Sequence, residues 1–340
     1  MTNANRPLAN EAEVTPDKLL DLSFSFAGER VLSTAVQLGV FSALAQGNRA
    51  ADAVAQATGC SRRGMPALLD ALVGFGLVGK LDGGYELTPL SARYLVRESP
   101  DYLGHMWETN RLWELWGRLA DSARTGRSQT AVNQQQGAEE FFPILVRSLH
   151  IQNRAKAQTL AQRLVSGHKG LHGIDIACGS GVWGIAVCEA DPQARFVAQD
   201  FPAVLDLTRR YLRQHGVEDR YEFLPGNLRE VDFGRDRFDL ALLGNIVHSE
   251  GESSSRSLFQ RLCAALRPGG RIVIIDMVPN DARTGPVFPL LFALNMLVAT
   301  EEGGTYTLAE YTDWLCQAGF TTVETMDIGS HSPAIMATKA

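Results

Sequence analysis

Residues 175–184 read DIACGSGVWG, and this stretch decides the fold. Gly179, Gly181 and Gly184 follow an apolar, strand-like run and precede a segment whose apolar residues have helical spacing. Glycine suits such a turn because the backbone bends sharply and approaches a ligand closely, which leaves no room for a Cβ atom. The stretch therefore predicts the strand–turn–helix unit of a Rossmann-like, nucleotide-binding domain.

An acidic residue lies where such a unit needs one. Asp200 ends the next strand-like run, RFVAQD, about 20 residues beyond the glycines, and Phe201 follows it. A carboxylate at that strand end can accept hydrogen bonds from the hydroxyls of a ribose. Taken alone, the glycines and Asp200 would fit a nicotinamide dinucleotide as well as S-adenosylmethionine.

Three features favour S-adenosylmethionine. Asp175 lies inside the strand and gives the form D-x-x-x-G-x-G, which is typical of methyltransferases. A turn at 226–228 follows a third strand-like run, where a polar side chain can reach the adenine amino group. The run LRPGGRIVIID is followed by a closing hairpin, an order that matches the methyltransferase sheet rather than the sheet of nicotinamide-binding domains. The predicted cofactor-binding residues are Asp175, Gly179, Gly181, Asp200, Phe201, Gly226, Asn227 and Leu228.

The second half of the chain alternates between strand-like and helix-length segments. The apolar runs GIDIA, RFVAQD, YEFLPG, FDLALLG and GRIVIID are each separated by a segment of helical length. Such alternation predicts parallel strands joined by right-handed crossovers. TTVETMDI and SPAIMATKA come last and predict an antiparallel hairpin at the sheet edge. We expect an α/β, Rossmann-like methyltransferase sheet over residues 166–340.

The first half of the chain has a different pattern of polar and apolar residues. Residues 1–18 are polar and are expected to form a disordered tail. Residues 19–100 show helical spacing, including one segment that ends at Gly47, and then a hairpin pattern around Asp82-Gly83-Gly84. That order predicts a mainly helical, winged-helix-like domain. Residues 101–165 are predicted to form a helical linker that contributes to the acceptor pocket.

The composition excludes several classes of protein. Hydrophobic residues make up 45% and charged residues 21% of the chain, as in ordinary globular proteins. A net charge of −6 argues against general nucleic-acid affinity, which depends on clustered Lys and Arg. The N-terminus has no apolar signal core, and the five cysteines form no CxxC pair. We therefore expect a cytoplasmic protein without a nucleic-acid or membrane partner and without a metal.

Four further motifs carry a family resemblance: LGVFSALA, YELTPLSARYL, LRPGGRIVIIDMVPND and GGTYTLAEYTDWLCQAGF. From about residue 19 onward, the chain resembles the class I small-molecule O-methyltransferases. These include plant caffeic acid and flavonoid enzymes and bacterial enzymes of secondary metabolism. The resemblance implies S-adenosylmethionine as methyl donor, S-adenosylhomocysteine as product, a small-molecule acceptor and a homodimer formed through the N-terminal domain.

His248 is the predicted general base. It closes the run FDLALLGNIVH, beyond the carboxyl edge of the sheet where α/β proteins bind ligands. Methyl transfer from a sulfonium is an in-line displacement, and a neutral imidazole can take the proton of a phenolic hydroxyl as the oxygen attacks. His248 also aligns with the catalytic histidine of the resembling family. The alternative is a histidine that caps the strand end and bonds only to the backbone.

The residues around His248 depart from the family pattern. Asp276 in GRIVIIDM matches the first of two acidic residues that flank the histidine in the plant enzymes, and we expect it to orient His248, although a plain strand-end aspartate is the alternative. The second falls near Thr305-Tyr306, where no carboxylate is in register, and Glu301 or Glu302 is the candidate substitute.

Other departures concern the cofactor side. Ser249-Glu250 stands where Asp-Trp commonly follows the histidine, and in the plant enzymes that tryptophan packs on the cofactor. This side of the adenosine pocket must therefore be built differently. Ala177 replaces a frequent glycine, and Asn227 replaces a frequent aspartate.

Four residues are predicted to contact the acceptor. Asn295 and Met296 in LFALNMLVATEEGG match family positions that line the acceptor pocket, although a core helix would show the same letters. Trp107 and Trp113 are aromatic candidates from the helical stretch before the sheet, where aromatic residues also serve cores and dimer interfaces.

Two other functions fit parts of the pattern. A winged helix can read DNA, but the candidate recognition helix SRRGMPALLDALVGFGLV has only Arg62 and Arg63 and is otherwise mostly apolar. Within the enzymes, some relatives methylate carbon or nitrogen instead of oxygen. Retention of His248 favours an oxygen acceptor, because a base is needed to deprotonate a hydroxyl, although a carbon acid also needs a base.

Overall fold

The computed structural model describes residues 16–109, 111–128, 135–329 and 333–340. The chain divides into two compact units, Met1–Asn110 and Arg111–Ala340, and each is described by itself. Most of the tail predicted for residues 1–18 lies outside the described residues. The first helix already begins at Asp17.

The first unit contains helices followed by a hairpin. Its elements are α1 (Asp17–Gln37), α2 (Val40–Ala45), α3 (Ala51–Ala57), α4 (Gly64–Gly74), β1 (Val78–Leu81), β2 (Gly84–Leu87) and α5 (Pro89–Tyr94). The helix predicted to run on to Gly47 is broken at Gly39, whose φ of 73° starts a new helix. The predicted hairpin is confirmed, because Asp82 and Gly83 both have positive φ, as a type I′ turn requires.

The core of the first unit is built from the inner faces of its helices and the hairpin. Phe41, Leu69, Leu72 and Tyr85 are all buried in one apolar cluster. Helix α1 differs, because five large apolar side chains near its start remain 52–70% exposed: Leu19, Leu20, Leu22, Phe24 and Phe26. So much exposed apolar surface on one helical segment is unusual for a segment that stays in water.

The second unit begins with three helices and continues as an α/β domain. The helices are α6 (Arg111–Trp116), α7 (Leu119–Thr125), α8 (Gln135–Val165), α9 (Val182–Ala190), α10 (Pro202–Gln214), α11 (Glu252–Ala265), α12 (Val287–Ala299) and α13 (Leu308–Gln317). The strands are β3 (His172–Ile176), β4 (Arg195–Asp200), β5 (Tyr221–Pro225), β6 (Phe238–Gly244), β7 (Leu266–Ile275), β8 (Phe320–Met326) and β9 (Ala334–Lys339).

Within the described residues, these seven strands form one sheet in the order β5-β4-β3-β6-β7-β9-β8. The first five strands are parallel, and β9 and β8 are antiparallel. The predicted α/β sheet with a terminal antiparallel hairpin is confirmed. The strand order reverses between β3 and β6, and the crevice at the carboxyl ends of such neighbours is where open α/β sheets bind ligands.

Apolar side chains cover both faces of this sheet. Along β6, Leu240 and Leu242 belong to the cluster that includes residues of α8 and α9, whereas Ala241 and Leu243 belong to the cluster with α11 and α13. Alternation along a strand that is buried on both faces is the geometry expected for a parallel sheet between two helical layers. The rigid sheet fixes the loops that follow its strands.

Across the described ranges, no helix is long and apolar enough to cross a membrane. In the same ranges, no group of three or more His, Cys, Asp and Glu side chains is arranged to hold a metal ion.

Candidate active site

The glycine loop joins β3 to α9, and its backbone enters the left-handed region at three positions. The φ angles are 48° at Ala177, 56° at Gly179 and 75° at Gly181. Ala177 stands where glycine is frequent in the resembling family, so its Cβ atom strains the backbone there. Gly181 is the N-cap of α9, which directs backbone N–H groups of the first helical turn toward the end of the sheet.

Asp175 supports this loop from below. Its side chain is completely buried, and Oδ2 accepts the backbone N–H of Gly184 at 3.3 Å. A Cβ atom at Gly184 would lie 2.5 Å from the Tyr221 hydroxyl, so only glycine fits there. Burial raises the pKa of the Asp175 carboxyl well above its ordinary range. Asp175 therefore lies under the loop and not on its open side.

Asp200 connects the glycine loop with the start of α10. Its Oδ2 accepts the N–H of Gly179 at 2.9 Å, and its Oδ1 accepts the N–H of Phe201 at 2.8 Å. Each carboxylate oxygen keeps a second lone pair for another donor. Burial raises the pKa of Asp200 to about 6, against the lowering effect of these two backbone donors.

The raised pKa of Asp200 predicts a pH-dependent affinity for the cofactor. Ribose hydroxyls donate better to the ionised carboxylate, and that form declines as the pH falls through about 6. If the ionised form binds, the affinity for S-adenosylhomocysteine falls about fourfold between pH 7.5 and 5.5. Calorimetric titration at both pH values measures the change.

The matched control for that prediction is Asp200→Asn, which has no titrating carboxyl. Its affinity is expected to be about tenfold or more below that of the wild type at pH 7.5 and to vary little with pH, because the charged acceptor is gone. A wild-type affinity that stays constant down to pH 5.5, or an equal slope in the variant, would remove Asp200 from the binding site.

The turn after β5 has its own constraints. Gly226 has a φ of 140°, and a Cβ atom there would lie 2.5 Å from Cγ1 of Val231. Oδ1 of Asn227 accepts the backbone N–H of Arg229 at 3.0 Å. An N–H can only donate, so this contact assigns the amide oxygen, and Nδ2 of Asn227 remains as a donor. Leu228 is buried against the sheet.

His248 forms a buried pair with Asp276. Its Nδ1 lies 2.6 Å from Oδ1 of Asp276, and its backbone N–H donates to Oδ2 at 2.9 Å. Because a carboxylate only accepts, Nδ1 of the neutral imidazole carries the proton, and Nε2 keeps its lone pair. His248 lies in a short 3-10 turn (Val247–Ser249) and not at the strand end, because Asn245, with a φ of 60°, turns the chain beyond β6.

Tyr311 completes the surroundings of Asp276. The fully buried Tyr311 hydroxyl donates to Oδ2 of Asp276 at 3.1 Å, and the N–H of Met277 donates to Oδ1 at 2.7 Å. Four donors therefore hold this carboxylate in one orientation. Tyr311 was missed by the sequence reasoning, because in the run TYTLAEYTDWL it looks like one more core aromatic residue.

A glycine pair packs against the backbone of His248 from the other side. The N–H of Gly304 donates to the His248 carbonyl at 2.8 Å. A Cβ atom at Gly303 would lie 2.6 Å from that carbonyl oxygen and 2.4 Å from Oγ1 of Thr300. The His248 turn is thus fixed both by Asp276 and by this close backbone contact.

The four predicted acceptor residues belong to different parts of the chain. Oδ1 of Asn295 accepts the indole N–H of Trp116 at 3.1 Å, so its amide is oriented by α6. Met296 is buried, and Trp113 is 45% exposed. Trp107 belongs to the first unit, where it packs against the apolar core.

One further aromatic residue of α12 lies at the His248–Asp276 pair. The ring of Phe292 meets the His248 ring edge-on, with centroids 4.9 Å apart and planes at 85°. Asn295 lies three residues later, on the same side of the helix. The sequence contained a signal for Phe292, because it precedes the predicted Asn295 by one helical turn.

These features fit S-adenosylmethionine. The left-handed glycines leave space at the loop, and the Asp200 carboxylate keeps lone pairs for two ribose hydroxyls. On the neighbouring loop, Asn227 keeps a second lone pair on Oδ1, which can accept from the adenine amino group, and Nδ2 as a donor. The same edge of the sheet therefore carries groups suited to each part of the cofactor.

Comparison with known proteins gives the same assignment. Residues 116–321 match the O-methyltransferase domain model, and residues 20–97 match the O-methyltransferase dimerisation domain model. The chain is 31% identical over 326 residues to the tetracenomycin polyketide synthesis 8-O-methyl transferase TcmO of Streptomyces glaucescens, with 91% of this chain and 93% of the relative covered. It is 30% identical over 333 residues to the 3-hydroxy-5-methyl-1-naphthoate 3-O-methyltransferase of Streptomyces sahachiroi, covering 93% and 92% of the two chains.

A solved structure is similar over nearly the whole length. Human N-acetylserotonin methyltransferase, in complex with S-adenosylmethionine, superposes with a TM-score of 0.82 at 26% identity and covers 97% of this chain and 99% of its own. The match of the N-terminal residues to a dimerisation domain does not support the DNA-binding alternative. The chain belongs to the O-methyltransferase family and is an S-adenosylmethionine-dependent O-methyltransferase.

Proposed function

We propose that this enzyme methylates a phenolic hydroxyl of a small aromatic metabolite, with His248 as the general base. The observation that carries the proposal is the buried His248–Asp276 pair at 2.6 Å, next to the crevice where the strand order reverses. A proton acceptor at that place is what an oxygen nucleophile requires.

Each group has a defined task. When bound, S-adenosylmethionine supplies a methyl group that is electrophilic because it is attached to a sulfonium. Nε2 of His248 takes the proton of the acceptor hydroxyl while the oxygen attacks in line. Asp276 holds the imidazole in the tautomer with the proton on Nδ1 and stabilises the imidazolium that forms. Tyr311 keeps the Asp276 carboxylate in place.

The surroundings of the base favour an aromatic acceptor. Phe292 lies edge-on to His248, and Phe288 stacks on Phe292 with centroids 6.1 Å apart. Aromatic side chains offer both faces and edges to a planar ligand. The two Streptomyces relatives are named for a polyketide and for a hydroxynaphthoate, which supports a fused-ring phenol as the acceptor class.

The direct test is incubation of the full chain with isotope-labelled S-adenosylmethionine and a panel of acceptors. The panel contains hydroxynaphthoates and phenolic polyketides, together with matched amines and carbon acids. We expect label in an O-methyl ether of at least one fused-ring phenol. Label only in N-methyl or C-methyl products would overturn the proposed acceptor class.

We also propose that the protein is a homodimer assembled through its N-terminal domain. The apolar start of α1, which includes Leu22 and Phe24 at 70% exposure each, belongs to the segment that matches the dimerisation domain. Burial of such a surface is the usual source of stability in an obligate dimer.

Replacement of Leu22 and Phe24 by Asp is expected to convert the dimer into a monomer. Two carboxylates in an apolar interface lose their hydration without gaining partners. Light scattering after size exclusion should give twice the chain mass of 37.1 kDa for the wild type and about that mass for the variant. The control is Leu81→Asp, a change of a leucine at the hairpin that is 58% exposed. A wild-type protein that runs as a monomer contradicts the proposal.

A further inference from the structure

An ion pair joins two of the loops that follow the parallel strands. Arg229 comes from the loop after β5, and Glu250 comes from the loop after β6. Nε of Arg229 donates to Oε2 of Glu250 at 2.7 Å. The pair therefore spans from the turn that contains Asn227 to the turn that contains His248, without a direct role in deprotonation.

Glu250 is an unusual residue for this position. It is only 6% exposed, and a buried carboxylate is costly unless its charge is compensated. Oε2 also accepts the hydroxyl of Ser254, and the Glu250 carbonyl accepts the Tyr306 hydroxyl at 2.7 Å. The side chain and the backbone of Glu250 are thus both fixed, and its carboxylate accepts the hydrogen bond from Arg229.

Arg229 is fixed at its backbone and at one guanidinium nitrogen. Its N–H bonds to Oδ1 of Asn227, the residue proposed to face the adenine, so the two side chains start from one tight turn. The N–H of Nε points along the guanidinium plane, so the bond to Glu250 does not itself occupy the faces of that plane. The side chain is 46% exposed, so a planar ligand has access to it.

We propose that the guanidinium of Arg229, held by Glu250, stacks on the adenine ring of S-adenosylmethionine. Arg229 is then a cofactor-binding residue, and Glu250 is a positioning residue that acts through it. A guanidinium is planar and weakly hydrated, and it stacks on aromatic rings, which an ammonium group does less well. The inference deepens the proposed function and rests on it, together with the sequence-based prediction that Asn227 faces the adenine.

The charge of Arg229 is compatible with a cationic cofactor. The hydrogen bond that Arg229 donates to Glu250 raises the pKa of Arg229, and the carboxylates of Glu301 and Glu302 act in the same direction. The guanidinium therefore stays charged but is surrounded by negative groups, which limits its repulsion of the sulfonium. Glu301 and Glu302 therefore lie close enough to Arg229 to act on its charge.

The test is calorimetric titration of the full-length protein with S-adenosylhomocysteine. Arg229→Met removes plane and charge, Arg229→Lys keeps the charge without the plane, and Glu250→Gln keeps the shape but releases the guanidinium. We expect Arg229→Met and Arg229→Lys each to weaken binding about 5- to 30-fold, and Glu250→Gln less. Unchanged affinity in Arg229→Lys would overturn stacking, because charge alone would then suffice.

A rescue variant separates stacking from a structural role. Arg229→Trp combined with Glu250→Gln supplies a flat ring without leaving an unpaired buried charge, and its affinity is expected to return to within about threefold of the wild type. Failure of this rescue, with the variant folded, would also overturn the proposal. Thermal unfolding without ligand identifies any variant that does not fold. If the double variant does not fold, the affinity of the conservative Arg229→Lys still decides the test.

Two controls distinguish this inference from the proposed function. Arg256→Met removes another ion-paired arginine of the same unit, which bonds to Glu252 and Asp313, and it should leave affinity unchanged. Asp200→Asn tests the binding site as a whole. Loss of affinity in Asp200→Asn with none in the Arg229 variants would refute the stacking alone.

Discussion

Replacement of His248 by Gln is expected to lower kcat by about 10²–10⁴. Glutamine can still donate an N–H to Asp276, but its amide is a far weaker base than the Nε2 lone pair of the imidazole. The acceptor hydroxyl would then have to attack while still protonated. Single-turnover rates with labelled S-adenosylmethionine and saturating acceptor measure the loss in the chemical step.

The His248→Gln variant should lose kcat but keep its affinity for the cofactor product. The affinity for S-adenosylhomocysteine is expected to stay within about twofold of the wild type, because His248 acts on the acceptor and not on the cofactor. His168→Gln, at an exposed position, is the matched control and should retain full activity. A kcat that is unaffected by His248→Gln would end the general-base proposal.

Asp276→Asn is expected to lower kcat by about 10–10³ and to destabilise the fold by about 1–3 kcal/mol. All four partners of this carboxylate donate hydrogen bonds: the ring and backbone of His248, the N–H of Met277 and the hydroxyl of Tyr311. An amide NH₂ group must face some of these donors and leave them unpaired in a buried site. The imidazole then loses its fixed tautomer.

Tyr311→Phe is the graded control for this second prediction. It removes one donor from Oδ2 and leaves the contact of Oδ1 with the His248 ring. The loss of kcat should therefore be smaller than in Asp276→Asn, with cofactor affinity unchanged in both. If Asp276→Asn turns over at the wild-type rate, Asp276 is only a strand-end aspartate, and His248 acts without it. Stability is read from chemical denaturation of the same samples.

The fold was predictable because its signals are periodic and local. The run FDLALLG is apolar on both faces, as a strand between two helical layers must be, and β6 is such a strand. The glycines at 179 and 181 marked the turn that the structure shows. The break at Gly39 was missed, because helical spacing of apolar residues continues across it although its backbone does not.

The site residues were predictable only where a chemically reactive side chain also follows a strand of the sheet. His248 and Asp276 each follow a strand, and the carboxyl ends of parallel strands meet at one edge. Tyr311 lies 35 residues beyond Asp276, and Asn295 lies 179 residues beyond Trp116, so no local pattern shows these contacts. The Arg229–Glu250 pair likewise depends on which loops the sheet brings together.

The glycine pair behind His248 has a consequence for engineering of the acceptor range. Since any side chain at Gly303 would push the His248 carbonyl, a library that randomises this loop would mostly return inactive clones. The outer positions of α12, such as Phe288 and Leu291, are 41% and 47% exposed, so we expect them to accept other side chains more readily. Directed evolution toward new phenols should therefore vary the helix and keep the loop constant.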